Sequence, residues 1–179
     1  MAEPPGDPLL AGLAAGRDNA FATLFARDGP ALFRVAHALL RSRPDAEDAV
    51  QEVFVGLAQT RRALTDIENL RAYLFAALRH AAAKIAARRP SVRPAPLTEC
   101  EAVAARQARS LDAESAARLE QALAMLPAIF REAIALKIDG GLTFREMAAV
   151  LGVSPNTAAS RYRYALAELR DALRGCTDE

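Results

Sequence analysis

The side chains best suited to contact another molecule lie close together near the C-terminus. They are Asn156, Thr157, Ser160, Arg161, Arg163 and Tyr164. Amide, hydroxyl and guanidinium groups hydrogen-bond to base edges in the DNA major groove and to backbone phosphates. An ordinary polar helix surface is the alternative interpretation. The clustering of these residue types at one end of a predicted helix favours DNA binding.

An acidic face is predicted near residue 50. It consists of Asp48, Gln51, Glu52 and Val55. Offsets of three, four and seven place these residues on one side of a helix, beside its apolar stripe. Two interpretations remain open, a solvated acidic surface and a docking surface for a basic partner helix. The apolar Val55 within this polar strip favours docking.

A basic ridge is predicted further along the chain. Its members are Arg79, His80, Lys84 and Arg88, and Tyr73 precedes them on the same predicted helix. Such a ridge can bind phosphates, while an aromatic ring can stack on an unpaired base. The alternative is that the cations compensate the dipole at the end of this helix. Tyr73 is then a core residue and His80 a structural one.

The sequence contains no recognisable set of catalytic residues. His37 and His80 are the two histidines, and neither belongs to a Ser/His/Asp or Cys/His pattern. Cys100 and Cys176 lie far apart without a CxxC motif, which argues against a metal site or a disulfide framework. The sequence therefore predicts a protein that is not an enzyme and has neither cofactor nor metal.

The amino-acid composition indicates which kinds of partner and which cellular compartment to expect. The 179 residues are 52% apolar and carry a formal net charge of +1, so a core can form and any basic surface must be local. No leader peptide is evident, and no apolar run approaches the roughly 18 residues that a membrane-spanning helix needs. We expect no membrane insertion and a cytoplasmic location.

The polar cluster near the C-terminus requires a helix-turn-helix to position it. Thr143 and Glu146 have the spacing of a capping box at the start of a helix. Gly152 is suited to the left-handed conformation that ends this helix. Ser154 can cap the next helix, with Pro155 in its first turn. The second helix of such a motif enters the DNA major groove.

The whole chain has helical periodicity, and convincing strand alternation is absent. Residues 7–89 form one helical block and residues 112–175 form another. Residues 90–111 contain three closely spaced prolines and little apolar pattern, which is typical of a linker. The sequence therefore predicts an all-α protein with two small helical domains joined by a flexible linker.

Three stretches resemble one family. Residues 45–54 are similar to the D-A-E-D-x-x-Q-E-x-F motif of bacterial sigma factors of the extracytoplasmic-function (ECF) group. Residues 69–74 resemble the N-x-R-x-W-L run that follows it. Residues 126–173 resemble region 4, with its L-P, G-L-T-x-x-E, L-G-V-S and S-R motifs. The motifs follow the family order along nearly the whole chain.

The resemblance implies a dissociable subunit of RNA polymerase. Residues 7–89 would be sigma region 2, and residues 112–175 would be region 4. Asp48, Gln51 and Glu52 would bind core polymerase. The loop 63–69 and the helix after it would recognise and melt the −10 element of promoter DNA.

The resemblance also implies roles at the −35 element. Ala159, Ser160 and Arg163 occupy the family's reading positions, and Arg161 and Tyr164 would lie near the DNA backbone. Many relatives are held by an anti-sigma factor, which makes such a protein a further expected partner.

Some positions depart from the family pattern. Tyr73 replaces a Trp, His80 replaces an Asn, and Ala159 replaces a Lys that would contact DNA. A divergent sigma paralogue with weak promoter opening is therefore one alternative. A stand-alone helix-turn-helix regulator is another, but it would leave the motif at residues 45–54 unexplained.

Overall fold

The chain folds into α-helices. The computed structural model describes residues 8–60, 64, 67–88 and 113–175, and strands are absent from these ranges. The N-terminal unit consists of α1 (Pro8–Ala14), α2 (Asp18–Leu40), α3 (Arg43–Gln59) and α4 (Leu70–Arg88). The C-terminal unit consists of α5 (Ala113–Met125), α6 (Ala128–Ile138), α7 (Phe144–Leu151) and α8 (Pro155–Gly175). The all-α prediction is confirmed, while the predicted linker at 90–111 lies outside the described residues.

A tight connection joins α2 to α3. Arg41 adopts the left-handed conformation with φ of 52°, and its N–H donates to the carbonyl of His37, which ends α2. Ser42 then accepts a hydrogen bond from the backbone N–H of Asp45 and caps α3. Pro44 sits in the first turn, where a missing N–H costs no helical hydrogen bond. This short connection brings α3 into contact with α2.

The third long helix of the N-terminal unit, α4, also begins at a side-chain cap. Asn69 Oδ1 accepts a hydrogen bond from the N–H of Ala72 at 2.8 Å. One side of α4 is buried against α2 and α3 through Leu70, Leu74, Phe75, Leu78, Ala81 and Ala82. Its other side presents polar and charged groups, so the packing of α4 determines where the basic ridge lies.

In the C-terminal unit, a double glycine ends α6. The N–H of Gly140 donates to the carbonyl of Ala135, and that of Leu142 donates to Leu136. A Cβ on residue 140 would lie 2.6 Å from the Leu136 carbonyl oxygen, so a larger residue does not fit there. Gly141 follows with φ of 61°. The sharp turn lets α7 and α8 fold back onto α6 and onto each other.

The two units pack against each other. Helix α2 contacts α6, and α4 contacts α7. One cluster of buried apolar side chains extends through both units, from Leu13 to Ala158. Arg34 Nε lies 3.6 Å from Asp139 Oδ1, and Arg71 donates to the carbonyl oxygen of Gly140 at 2.7 Å. The sequence predicted the two units but not this contact between them.

Candidate nucleic-acid interface

The turn between α7 and α8 has the predicted caps. Thr143 Oγ1 accepts from the N–H of Glu146, and Glu146 Oε2 accepts from the N–H of Thr143 at 2.8 Å, which completes the capping box. Gly152 ends α7 with φ of 66°. Ser154 Oγ accepts from the N–H of Thr157 at 3.1 Å, and Pro155 begins α8. These contacts fix the angle between the two helices.

The reading face is the side of α8 that points away from α7. Its exposed members are Asn156, Thr157, Arg163 and Tyr164, and its half-buried members are Ala159, Ser160 and Arg161. Arg163 donates to Ser160 Oγ at 3.1 Å, which orients the guanidinium along this face. The structure therefore brings the seven predicted residues together on one side of one helix.

On the opposite side of α8, the stripe of buried apolar residues is narrower than the helical spacing predicts. Ala158, Ala165 and Leu169 are buried. Helical spacing of the apolar residues predicts that Leu166 and Leu173 also point inward, but they are 37% and 36% exposed. The buried cluster that Leu169 forms with Ala122 and Leu126 does not include them. That part of the predicted stripe is wrong.

The acidic face lies on α3 as predicted, with one member in a different environment. Asp48, Gln51 and Val55 are exposed, and Val55 has 46% of its surface accessible. Glu52 is only partly exposed and forms an ion pair with Lys84 of α4. The hydrogen bond from Lys84 lowers the pKa of Glu52. Burial opposes this effect, and the charges of Lys84, Arg88 and His80 add to the lowering.

The basic ridge lies on α4 with all four members exposed. Two of its cations are paired with carboxylates from other helices. Arg79 Nε lies 2.7 Å from Glu132 Oε1 of α6, and Lys84 pairs with Glu52 of α3. The acidic face and the basic ridge therefore meet at the Glu52–Lys84 pair. The sequence pattern predicted them as two separate surfaces. Glu132 was not among the predicted site residues.

A groove of about 310 Å³ runs between α3 and α4. Its polar lining residues are Glu52, Tyr73 and His80, and its remaining lining is made of small or aliphatic residues. Tyr73 is 36% exposed, so its ring is accessible from the groove. An accessible aromatic ring beside apolar side chains offers a planar group a surface on which to stack.

Asn69 joins the start of α4 to the start of α7. Its Oδ1 caps α4, while its Nδ2 donates to Glu146 Oε1 at 3.0 Å. The Asn69 hydrogen bond is the main cause that lowers the pKa of Glu146, and the capping contacts with Thr143 add to it. Asparagine is a favoured N-cap, so the sequence could have indicated the first role. The second joins residues 77 positions apart and has no local signal.

Only part of the predicted −10 loop lies within the structure. Of residues 63–69, those described are Leu64 and residues 67–69. Leu64 is buried, and its carbonyl accepts from the N–H of Ile67 at 3.2 Å. This end of the loop is therefore anchored to the core beside the start of α4.

The described ranges contain neither a metal-binding cluster nor a helix suited to cross a membrane. Residues 8–60, 64, 67–88 and 113–175 contain no group of three or more His, Cys, Asp or Glu residues arranged to hold a metal ion. Cys100 and Cys176 lie outside these ranges. Within the same ranges, no helix combines the length and apolar character that crossing a membrane requires.

Two family models match the two units. Sigma-70 region 2 matches residues 24–89, and Sigma-70 region 4 matches residues 116–169. The first range covers the acidic face and the basic ridge, and the second covers the helix-turn-helix. Together they define a transcription factor of the sigma-70 family.

Relatives identify the group within this family. The ECF RNA polymerase sigma factor SigM from Mycobacterium tuberculosis, in strains Erdman and H37Rv, is 30% identical over 161 residues. The match covers 90% of this chain and 81% of the relative. The structure of CnrH in complex with the cytosolic domain of CnrY is also 30% identical, with a TM-score of 0.69 and coverage of 96% and 97%.

The chain therefore belongs to the ECF RNA polymerase sigma factors. It directs promoter-specific transcription initiation by binding core polymerase and recognising the −10 and −35 promoter elements.

Proposed function

We propose that the acidic face is the main docking surface for core polymerase. Asp48, Gln51 and Val55 are exposed on α3, and Glu52 completes the same side of the helix. An exposed valine among acidic and amide groups suits a partner helix that combines apolar and basic residues. In this proposal residues 7–89 form the functional region 2, residues 112–175 form region 4, and residues 90–111 connect them.

The reading face is proposed to recognise the −35 element. Its polar side chains cluster at the N-terminal half of α8, the end that enters the major groove in helix-turn-helix proteins. Arg163 would hydrogen-bond to a base, with guanine as the favoured partner. Arg161 and Tyr164 would lie near phosphates. The exposed, capped N-terminal half of α8 is the observation that carries this assignment.

The basic ridge and Tyr73 are proposed to engage the −10 element. Tyr73 lines the groove between α3 and α4, where an unpaired base can stack, and the ridge provides cations for the strand backbone. His80 lines the same groove and can donate or accept one hydrogen bond. Opening of the duplex would then be favoured because the released bases gain these contacts.

A protein inhibitor is proposed as a further partner. The related CnrH structure contains the cytosolic domain of CnrY, so a chain of this fold accepts a protein partner. An anti-sigma factor would be such a partner here. We also propose that the chain works in the cytoplasm, without chemistry of its own, since core polymerase holds the catalytic site.

Run-off transcription tests the proposed function. The chain is added to core polymerase on genomic fragments, beginning with the region upstream of its own gene. A discrete transcript that requires the chain supports the proposal. A chain that binds these fragments without polymerase, and does not co-purify with core polymerase, would instead be a stand-alone regulator. Core binding without transcripts would indicate a divergent paralogue with weak promoter opening.

A further inference from the structure

The basic ridge is partly neutralised by the protein itself. Its arginine and lysine members are Arg79, Lys84 and Arg88. Arg79 pairs with Glu132 and Lys84 pairs with Glu52. Carboxylate oxygens occupy the positions at which phosphate oxygens would bind, because guanidinium and ammonium groups recognise both anions with similar geometry.

The two carboxylates belong to different surfaces. Glu132 lies on α6 in the C-terminal unit, and its side chain is only 13% exposed, so it is held by the packing between the units. Glu52 lies on α3, within the acidic face proposed to dock onto core polymerase. Two separate events would therefore release the two cations.

The first event is separation of the two units. The −10 and −35 elements are about 25 base pairs apart, which is about 85 Å along straight DNA at about 34 Å per turn. A compact domain of this length has a radius of gyration of about 16 Å. The packed arrangement therefore does not reach both elements of a straight duplex. Binding to both requires the units to move apart, and Arg79 then loses Glu132.

The second event is docking of the acidic face. A basic partner helix that binds Glu52 competes with Lys84 for the same carboxylate. Because Glu52 also lies close enough to Arg88 and His80 for their charges to lower its pKa, its engagement by a partner changes the field along most of the ridge.

We propose that Glu52 and Glu132 are masking carboxylates that weaken DNA binding by the free chain until core docking and unit separation expose Lys84 and Arg79. The inference rests on the proposed role of the ridge in DNA binding. It adds a regulatory role for Glu132 and a second role for Glu52.

The test uses the full-length chain without polymerase. The probe is a fluorescein-labelled oligothymidylate of about 20 nucleotides, long enough for one binding site. Anisotropy gives the Kd over a series of NaCl concentrations. We expect Glu132→Gln and Glu52→Gln each to lower the Kd about two- to fivefold. Each should also steepen the salt dependence by about 0.7 in log–log slope, as expected for one additional cation on a single strand.

Matched controls separate masking from a general charge effect. Glu47→Gln removes the same charge and also breaks an ion pair, the exposed one with Arg43 on α3. It should leave the Kd nearly unchanged. Arg79→Gln should weaken binding more in the Glu132→Gln background than in the wild type, since only there is Arg79 free. Glutamine retains the side-chain shape, and circular dichroism checks the fold.

Equal effects of Glu47→Gln, Glu52→Gln and Glu132→Gln, or no change in any of them, would overturn the masking proposal. Run-off transcription by the wild type, measured in parallel, separates this failure from failure of the proposed function. Transcription with unchanged Kd values rejects only the masks, whereas absence of both transcription and core binding rejects the function on which they rest.

Discussion

The two proposed DNA-binding surfaces are built differently. On the reading face of α8, the polar contacts are local, as in the Arg163–Ser160 and Ser154–Thr157 hydrogen bonds. On the basic ridge of α4, Arg79 and Lys84 are held by carboxylates from α6 and α3. The first surface depends only on the capped N-terminal half of one helix. The second depends on how the whole molecule is assembled, so its properties change when a partner binds.

The largest expected effect follows from placing core binding in the N-terminal unit. Asp48→Arg should weaken association with core polymerase by about 2–5 kcal/mol, because the reversed charge meets a basic partner. The free energy of unfolding should change by less than about 0.5 kcal/mol, as is usual for an exposed position. Co-purification with core and thermal unfolding measure the two quantities.

The control for this change lies in the other unit. Asp171→Arg makes the same charge reversal at an exposed position of α8 and should leave core binding intact. Equal losses in both variants would show that net charge, rather than the acidic face, governs association.

The reading face should separate base recognition from backbone binding. Arg163→Ala should cost about 1–3 kcal/mol and relax the preference at one −35 position, since a guanidinium bonded to a base is lost. Arg161→Ala should weaken binding to all promoters alike and lower the salt slope by about 1. A panel of promoters with single −35 substitutions provides the measurement. A uniform loss in both variants would contradict base reading by Arg163.

At Glu146, the stability that comes from local capping can be compared with the stability that comes from the contact between the two units through Asn69. Thr143→Ala removes only the cap of α7 and should cost about 1 kcal/mol of unfolding free energy. Glu146→Ala removes the other half of the capping box and also the hydrogen bond from Asn69, whose loss should add about 0.5–1.5 kcal/mol. Urea denaturation compares them. Identical losses would mean that the contact with Asn69 adds no stability.

His80 should have a smaller effect, confined to the opening of DNA. His80→Ala is expected to reduce open-complex formation on duplex promoters about two- to fivefold through loss of one hydrogen bond. A template with a pre-melted −10 bubble should restore most of it, and His80→Asn should retain or improve activity. Permanganate reactivity of unpaired thymines reports the opening. Equal opening by wild type and His80→Ala would refute a role in melting.

As pH falls, protonation of Glu146 should lower the stability of the fold, whereas protonation of Asp139 should raise it. The folded pKa of Glu146 is lowered, so its stabilising contribution is present above the unfolded pKa of about 4.3 and is lost as pH falls through the folded pKa. Burial raises the pKa of Asp139 against the opposing charge of Arg34, so its protonation favours the folded state as pH falls. Glu146→Gln should flatten the acid side of the stability profile below about pH 4.5. An unchanged profile would contradict this linkage.

The sequence predicted those features that depend on neighbouring residues. The caps at Thr143, Ser154 and Gly152 are set by residues within four positions, so their spacing alone indicates the helix-turn-helix. The pairing of Arg79 with Glu132 joins residues 53 positions apart, and that of Glu52 with Lys84 joins residues 32 apart. Helical spacing shows on which face of its own helix a side chain lies. It does not show which other helix packs against that face.

The continuous buried cluster has a consequence for folding cooperativity. Apolar side chains of both units, such as Leu32 and Leu78 in one and Leu136 and Met147 in the other, belong to the same core. Neither unit completes its interior alone in the packed arrangement, so melting of one exposes apolar surface of the other. We therefore expect the free chain to unfold in one calorimetric transition. A large-to-small substitution that leaves a cavity beside α2 should then also lower the melting temperature of the helix-turn-helix.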